Sequence, residues 1–112
     1  MQLWIKNLNT FMAIDNEEKT IETRVWKGFI STLSVGDIID IIYKNTHNSK
    51  AIITRINYYI NFDLLCDSED ISKIFPQNYY NESIFMRIKS YYSIEQINKY
   101  GIVAIHIQKI KD

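Results

Sequence analysis

The sequence predicts a single α+β domain in which strands form the core and short helices pack at its ends. Four segments alternate apolar and polar residues with the two-residue period of a strand. Between them lie short segments in which a capping residue precedes apolar residues at helical spacing. The chain has 112 residues, of which 46% are hydrophobic, and this is enough for one core.

Each strand is predicted from its own pattern. The first begins in charged residues and places Glu22 and Arg24 on the same face. The second follows a Gly36-Asp37 turn and is rich in β-branched isoleucine. A polar hairpin loop at 45–49 leads to the third, and the third and fourth strands alternate most clearly. The predicted strands span 19–26, 37–44, 50–60 and 102–110.

Two helices are predicted in the first three quarters of the chain. Asn9 or Thr10 is predicted to cap the first, since their side chains accept hydrogen bonds from the free N–H groups of a first turn. Ser68 is predicted to cap the second, which ends at Pro76 because proline cannot continue a helix.

Two further helices are predicted before the last strand. One lies at 82–90, where apolar residues four apart share a side. The other spans 94–100, because Ser93 and Gln96 have the spacing of a capping box and Gly101 follows its end.

The balance of charge bears on the class of partner. The chain has 13 basic and 13 acidic residues, so its formal net charge is zero. Such a chain is not expected to bind nucleic acid through bulk electrostatics, although a local basic patch is compatible with neutrality.

Cysteine content and hydropathy predict a protein that holds no metal or cofactor and has no membrane-spanning segment. Cys66 is the single cysteine, and no cluster of cysteine and histidine has the spacing of a zinc site. The N-terminal residues lack the apolar core of a signal peptide, and no apolar run has the length of a membrane span. We therefore expect a cytoplasmic or otherwise intracellular protein.

The first strand carries the candidate site. Lys19 lies at its entry, and the carboxylate of Glu22 and the guanidinium of Arg24 project from one face. Together they offer donors and an acceptor that could hold the edge of a nucleobase. The alternative is a solvated strand face with one ordinary ion pair, which stabilises a protein little.

Tyrosine doublets at 58–59, 79–80 and 91–92 allow a second kind of contact. Exposed tyrosine rings can stack on bases, while nearby basic residues such as Arg55, Arg87 and Lys89 hold a phosphate backbone. The alternative is that one ring of each doublet enters the core.

Support for nucleophilic or acid–base catalysis is weak. Cys66 has no histidine at a suggestive spacing and is expected to be a buried apolar residue. His106 lies among apolar residues and is predicted to be a hydrogen-bonded sheet histidine. Glu69 is predicted to be a solvated acid at a helix end.

Four motifs in order resemble those of the ASCH domain, a small β-barrel related to the RNA-binding PUA fold. The resemblance spans nearly the whole chain. The motifs are Lys19-Thr20-Ile21-Glu22-Thr23-Arg24, Val35-Gly36-Asp37-Ile38-Ile39, Tyr91-Tyr92-Ser93-Ile94-Glu95 and Lys99-Tyr100-Gly101-Ile102-Val103-Ala104-Ile105.

The resemblance implies a barrel of about five to six strands with short helices at its ends. It also implies a non-catalytic recognition module for RNA or a modified nucleoside, bound in a cleft beside the first predicted strand. Lys19, Glu22 and Arg24 would bind the ligand, and Tyr92 would stack on it.

One branch of the family resembles an amidohydrolase of acylated cytidine, which uses a lysine and a threonine three residues later. This chain has Lys19 but carries Glu22 at the threonine position. The alternative function is therefore a small amidohydrolase or nuclease in which Lys19 and Glu22 act on a modified pyrimidine nucleoside or RNA. A protein-interaction domain without ligand is the second alternative.

Overall fold

The computed structural model describes residues 1–76 and 93–111. Within them the chain forms five strands, four α-helices and a 3₁₀ turn at Gly28–Thr32. The strands are β1 Gln2–Trp4, β2 Ile21–Val25, β3 Ile38–Tyr43, β4 His47–Tyr59 and β5 Ile102–Lys109. The helices are α1 Leu8–Asp15, α2 Phe62–Ser68, α3 Ile71–Ile74 and α4 Ile94–Tyr100.

All five strands belong to one sheet, in the order β1-β3-β4-β5-β2. β1 runs parallel to β3, and the other neighbours are antiparallel. The register of β4 against β5 shifts between Ile53 and Arg55, where a β-bulge increases the local twist. Twist of this kind curls the sheet and brings its two edge strands towards each other.

Each face of the sheet has its own core. Alternate residues of β5 supply both, because successive side chains of a strand point to opposite faces. Val103 and Ile105 pack with α1 and β1 on one face, and Ile102 and Ala104 pack with α2, α3 and α4 on the other. The α+β class is thus confirmed, with helices covering a curled five-stranded sheet.

The four predicted strands are present, and two details of the prediction are wrong. β1 was not predicted, since three residues are too few to display a period. The predicted loop at 45–49 is too long, because β4 already begins at His47, opposite Tyr43.

Two predicted helix caps are also wrong. Asn7, not Asn9 or Thr10, caps α1 by accepting from the Asn9 backbone N–H at 2.8 Å. Ser68 is the last residue of α2, a helix that was not predicted. The cap of α3 is Asp70, whose carboxylate accepts from the Ser72 N–H at 3.0 Å.

The last helix follows its prediction more closely. Ser93 Oγ accepts from the Gln96 N–H at 3.4 Å, and Gly101 ends the helix at a φ of 83°. The Gln96 side chain accepts from Lys27 rather than completing a capping box. The helix predicted at 82–90 lies outside the described residues. Within residues 1–76 and 93–111, no helix is both long and apolar enough to cross a lipid bilayer.

Gly101 is required both by its backbone and by its neighbour. Its φ of 83° and ψ of 174° lie in a region that residues with a side chain rarely adopt. A Cβ here would also lie 2.3 Å from Cε2 of Tyr58, whose ring covers the glycine. Gly101 therefore ends α4 and also allows the exposed ring of Tyr58 to pack against the backbone.

Glu69 is a hydrogen-bond centre rather than the solvated acid that the sequence predicted. Its side chain is 3% exposed and accepts from His106 Nε2 at 2.6 Å and from Asn57 Nδ2 at 2.8 Å. The Tyr59 hydroxyl donates to the same carboxylate. These partners lie on β4 and β5, so Glu69 fastens the α2–α3 junction to the sheet. His106 is the hydrogen-bonded sheet histidine that was predicted.

We expect Gly101→Ala to lower the free energy of unfolding by roughly 1–3 kcal/mol, the usual cost of a non-glycine residue in such a backbone conformation. Urea denaturation measures it. The double variant Gly101→Ala/Tyr58→Ala removes the ring but not the backbone strain. If the double variant recovers the full stability of wild type, the collision with the Tyr58 ring, and not the backbone conformation, is the reason for glycine at this position.

We expect Glu69→Gln to lower the free energy of unfolding by roughly 2 kcal/mol, because hydrogen bonds to a charged acceptor are lost. Burial raises the pKa of Glu69, but donation by Tyr59, Asn57 and His106 outweighs it, and the pKa lies below its ordinary value of 4.5. A depressed pKa stabilises the fold above the unfolded value, and this contribution is lost as pH falls through the folded pKa.

The difference between wild type and Glu69→Gln should therefore be largest well above pH 4.5 and shrink as the pH falls below that value. Urea denaturation across this range measures it. Asp37→Asn, which changes a half-buried turn carboxylate that accepts from the Ser34 N–H, is the control. A Glu69→Gln difference that stays constant down to the acid limit would contradict the role given to the carboxylate.

Candidate functional site

A cavity of about 160 Å³ opens where the two edge strands of the sheet approach each other. β1 and β2 are at opposite ends of the strand order, yet Arg24 Nη2 of β2 donates to the Trp4 carbonyl oxygen of β1 at 3.1 Å. The curled sheet is thus bridged at this point by a side chain instead of a ladder of backbone bonds. The cavity is lined by Trp4, Ile5, Lys6, Asn7, Thr10, Lys19, Glu22, Thr23, Arg24 and Phe75.

Lys19 is held at the bottom of this cavity, with 2% of its surface exposed. Its ammonium donates to the carbonyl oxygens of Ile21 and Ile74, each at 2.7 Å. It also lies 3.5 Å from Glu22 Oε1 and 5.5 Å from the centre of the Phe75 ring. An ammonium taken out of water costs several kcal/mol unless it is paired and hydrogen-bonded, and these contacts meet that requirement.

The backbone before β2 sets the position of Lys19. The N–H groups of Glu18 and Lys19 both donate to the Ala13 carbonyl oxygen at 3.0 Å, which closes the end of α1. Glu17 takes a φ of 62° to make this turn. The Thr20 N–H then donates to the Lys73 carbonyl oxygen at 3.1 Å, so α3 lies along the free edge of β2.

Glu22 is a buried carboxylate between two cations. Its Oε1 accepts from the Thr23 N–H at 3.0 Å, and its Oε2 lies 3.5 Å from Arg24 Nη2. Burial raises the pKa of Glu22, but the charges of Lys19 and Arg24 and the Thr23 N–H outweigh burial, so the pKa lies below its ordinary value. The carboxylate is therefore ionised at neutral pH.

Arg24 is the most accessible of the three charges, with 30% of its side chain exposed. One terminal nitrogen is shared between the Trp4 carbonyl oxygen and Glu22. The contact to Glu22 is long at 3.5 Å, which leaves room for a ligand atom to compete for both groups. The guanidinium can therefore donate to a bound molecule without breaking the core.

Trp4 forms an aromatic wall that the sequence analysis missed. It is the last residue of the short strand β1 and is 50% exposed, although the next residue, Ile5, is buried. A half-exposed tryptophan next to a polar cavity is a natural stacking surface for a planar ring. The sequence offered one signal, a tryptophan between two residues of an apolar N-terminal segment, but nothing placed it near Arg24.

The three charged residues predicted from the first strand all line this one cavity. Tyr92, the predicted stacking residue, lies outside the described residues, as do Arg87 and Lys89. Tyr58 lies over Gly101 and does not line the cavity. Arg55 is exposed and lies opposite His106 in the register of β4 against β5, and it does not line the cavity.

Cys66 lies outside the cavity and is poorly suited to attack a substrate. Burial, together with the nearby charges of Asp63 and Asp67, raises the pKa of its thiol to about 11. At neutral pH the thiol is protonated, and the thiolate is the nucleophilic form. The charged side chains available in the cavity are therefore the cations Lys6, Lys19 and Arg24 and the anion Glu22, beside the rings of Trp4 and Phe75.

Comparisons with known proteins give the fold a context. No family model matches the chain, and no curated protein matches it. A crystal structure of the hypothetical protein PH0355 is similar over 97% of each chain, with a TM-score of 0.79 and 27% sequence identity. The solution NMR structure of protein PF0455 from Pyrococcus furiosus is similar over the whole of both chains, with a TM-score of 0.72 and 22% identity. The chain therefore shares its fold with solved structures over its full length.

Proposed function

We propose that the chain is an ASCH-like recognition module that binds one base of RNA, or a free modified nucleoside, in the cavity between β1 and β2. The observation that carries the proposal is the buried carboxylate of Glu22 held between Lys19 and Arg24 on the cavity wall. Burying charged side chains costs free energy, so buried charges that line a cavity are candidates for ligand binding.

The size of the cavity favours a single ring. An engineered cavity of about 150 Å³ takes up one benzene molecule, whereas drug-sized ligands need about 300 Å³ or more. The volume here, about 160 Å³, thus suits a pyrimidine ring, with the ribose outside. Trp4, which lines the cavity, would then stack on that ring in place of the predicted Tyr92.

The arrangement of donors and acceptors favours cytosine over uracil. The ionised carboxylate of Glu22 is an acceptor, which matches the amino group of cytosine. Arg24 donates in a planar fork, which matches the ring nitrogen and carbonyl oxygen beside that amino group. Uracil would instead present a carbonyl oxygen to the carboxylate, and the two would repel each other.

Lys19 and Glu22 are poorly arranged for hydrolysis. The Lys19 ammonium already donates to two carbonyl oxygens, which hold it in the charged form. A general base is most effective with a pKa near neutral pH, whereas the pKa of Glu22 is lowered. An interaction domain without ligand is also less well supported, because the cavity is partly open to solvent and charged side chains line it.

We expect cytidine to bind at least about tenfold more tightly than uridine, a difference of about 1.4 kcal/mol. Glu22→Gln should remove most of this preference, since a neutral amide can turn its donor towards the uracil carbonyl oxygen. Isothermal titration gives the affinities. Shifts of the Trp4 indole N–H resonance, assigned with Trp4→Phe, locate the ligand.

Arg24→Ala should weaken cytidine binding at least about tenfold, because it removes the guanidinium that is proposed to donate to the base. Arg55→Ala is the matched control, since it removes the same charge from an exposed position away from the cavity. Equal losses in both variants, or equal affinities for cytidine and uridine, would contradict the proposed site.

We expect no turnover of N4-acetylcytidine above the uncatalysed rate. A lowered pKa of Glu22 and a hydrogen-bonded ammonium at Lys19 leave neither group as an effective base. Incubation followed by chromatography of released cytidine measures this. Release that Lys19→Ala abolishes would instead establish the amidohydrolase.

A further inference from the structure

A second surface begins where β2 ends. Trp26, Lys27, Tyr58, Lys99 and Tyr100 form it, and we call it the aromatic–basic strip. The rings of Trp26 and Tyr58 meet edge to face with centres 6.4 Å apart. The ammonium groups of Lys27 and Lys99 lie 5.5 and 5.2 Å from the centre of the Tyr100 ring.

Gly101 brings the parts of the strip together. The Trp26 N–H donates to the Gly101 carbonyl oxygen at 3.0 Å, which ties the end of β2 to the start of β5. The Tyr58 ring rests on the same glycine, where a Cβ would collide with it. Since Gly101 also ends α4, the fold holds Tyr100 and Lys99 beside the two other rings.

The strip is accessible and positively charged. Tyr58 is 52% exposed, and Lys27 and Lys99 are exposed. In the described part of the chain, neither ammonium has a carboxylate within ion-pair distance, whereas Lys50, Lys109 and Lys111 each have one. Lys27 also donates to the uncharged side chain of Gln96, so the two charges of the strip lie against an aromatic ring and neither is neutralised by a carboxylate of the described residues.

The strip continues from the proposed site. Glu22, Arg24 and Trp26 alternate along one strand direction and so project from the same face. At about 3.3 Å per residue, Arg24 and Trp26 are roughly 7 Å apart along the backbone. A molecule that leaves the cavity beside Arg24 therefore reaches the strip directly.

We propose that the aromatic–basic strip binds the segment of single-stranded nucleic acid that flanks the base held in the cavity. Exposed rings that accept stacked bases, interleaved with cations that meet phosphates, are the recurring features of single-strand binding surfaces. The proposal rests on the proposed function and extends it, since it makes the ligand a polynucleotide and not a free nucleoside. The zero net charge of the chain agrees with binding through a local strip.

The test compares two double variants of equal charge. Lys27→Gln/Lys99→Gln neutralises the strip. Lys44→Gln/Lys111→Gln neutralises two exposed lysines elsewhere, of which Lys44 lies 5.4 Å from the centre of the Tyr43 ring and so shares the lysine–tyrosine contact. The probes are cytidine, measured by titration, and a fluorescein-labelled RNA decamer of cytidines, measured by anisotropy. Circular dichroism and thermal unfolding establish that both variants are folded.

We expect the decamer to bind wild type at least about tenfold more tightly than cytidine does. The strip variant should lose about tenfold in decamer affinity and keep its affinity for cytidine, while the control variant changes neither by more than about twofold. The logarithm of decamer affinity, plotted against the logarithm of salt concentration, should have a slope of roughly −1.4 in wild type, for phosphate contacts of Lys27 and Lys99. In the strip variant the slope should approach zero, because Arg24 contacts the base and not a phosphate.

The outcomes separate this proposal from the one on which it rests. Decamer binding that depends on Lys27 and Lys99 without any cytidine binding would support the strip and contradict the cavity site. Cytidine binding with no further gain for the decamer would overturn the strip and leave the cavity site standing. Equal losses of decamer affinity in the two double variants, or no decamer binding at all, would also overturn the strip.

Discussion

Burying the ammonium of Lys19 imposes a condition on every element around it. A lysine that is 2% exposed must replace its water shell with oxygen atoms, and the fold supplies two carbonyl oxygens and one carboxylate. The carbonyls belong to β2 and to the end of α3, so the charge fixes the helix against the free edge of the strand. The carboxylate is Glu22, which in turn faces Arg24. Removing Glu22 would leave the buried ammonium of Lys19 without its carboxylate, a larger cost than the net gain from a single neutral hydrogen bond.

The same condition explains why the site lies between the two edge strands. A five-stranded sheet that curls without closing leaves backbone groups of β1 and β2 without strand partners. Arg24 spans the gap by donating to Trp4, and α3 covers part of the β2 edge through the Lys73 carbonyl oxygen. The space that remains has charged groups at its base and an indole on its wall. Arg24 therefore both spans the gap between the edge strands and lines the candidate site.

Sequence patterns predicted the parts of this protein whose signal is local. Alternation located β2 to β5, and the spacing of Glu22 and Arg24 placed both on one face. β1 was missed, because three residues cannot show a period and because its parallel partner β3 is some forty residues away. Trp4 was missed with it. Glu69 was misjudged for a similar reason, since its partners Asn57 and His106 are 12 and 37 residues distant and nothing in the local sequence predicts their approach.

The charges of the cavity and those of the aromatic–basic strip are arranged differently. Within the cavity, one anion lies between two cations, which suits a polar, uncharged ring edge better than a phosphate. Along the strip, Lys27 and Lys99 have aromatic contacts and no carboxylate partner among residues 1–76 and 93–111. Buried charges discriminate between ligands, because a ligand without matching polar groups leaves them unpaired. Exposed charges instead add to the affinity for an anionic ligand, and salt weakens that contribution. On the proposed function, the buried triad would therefore determine which base is held, and the exposed strip would determine how strongly its strand is retained.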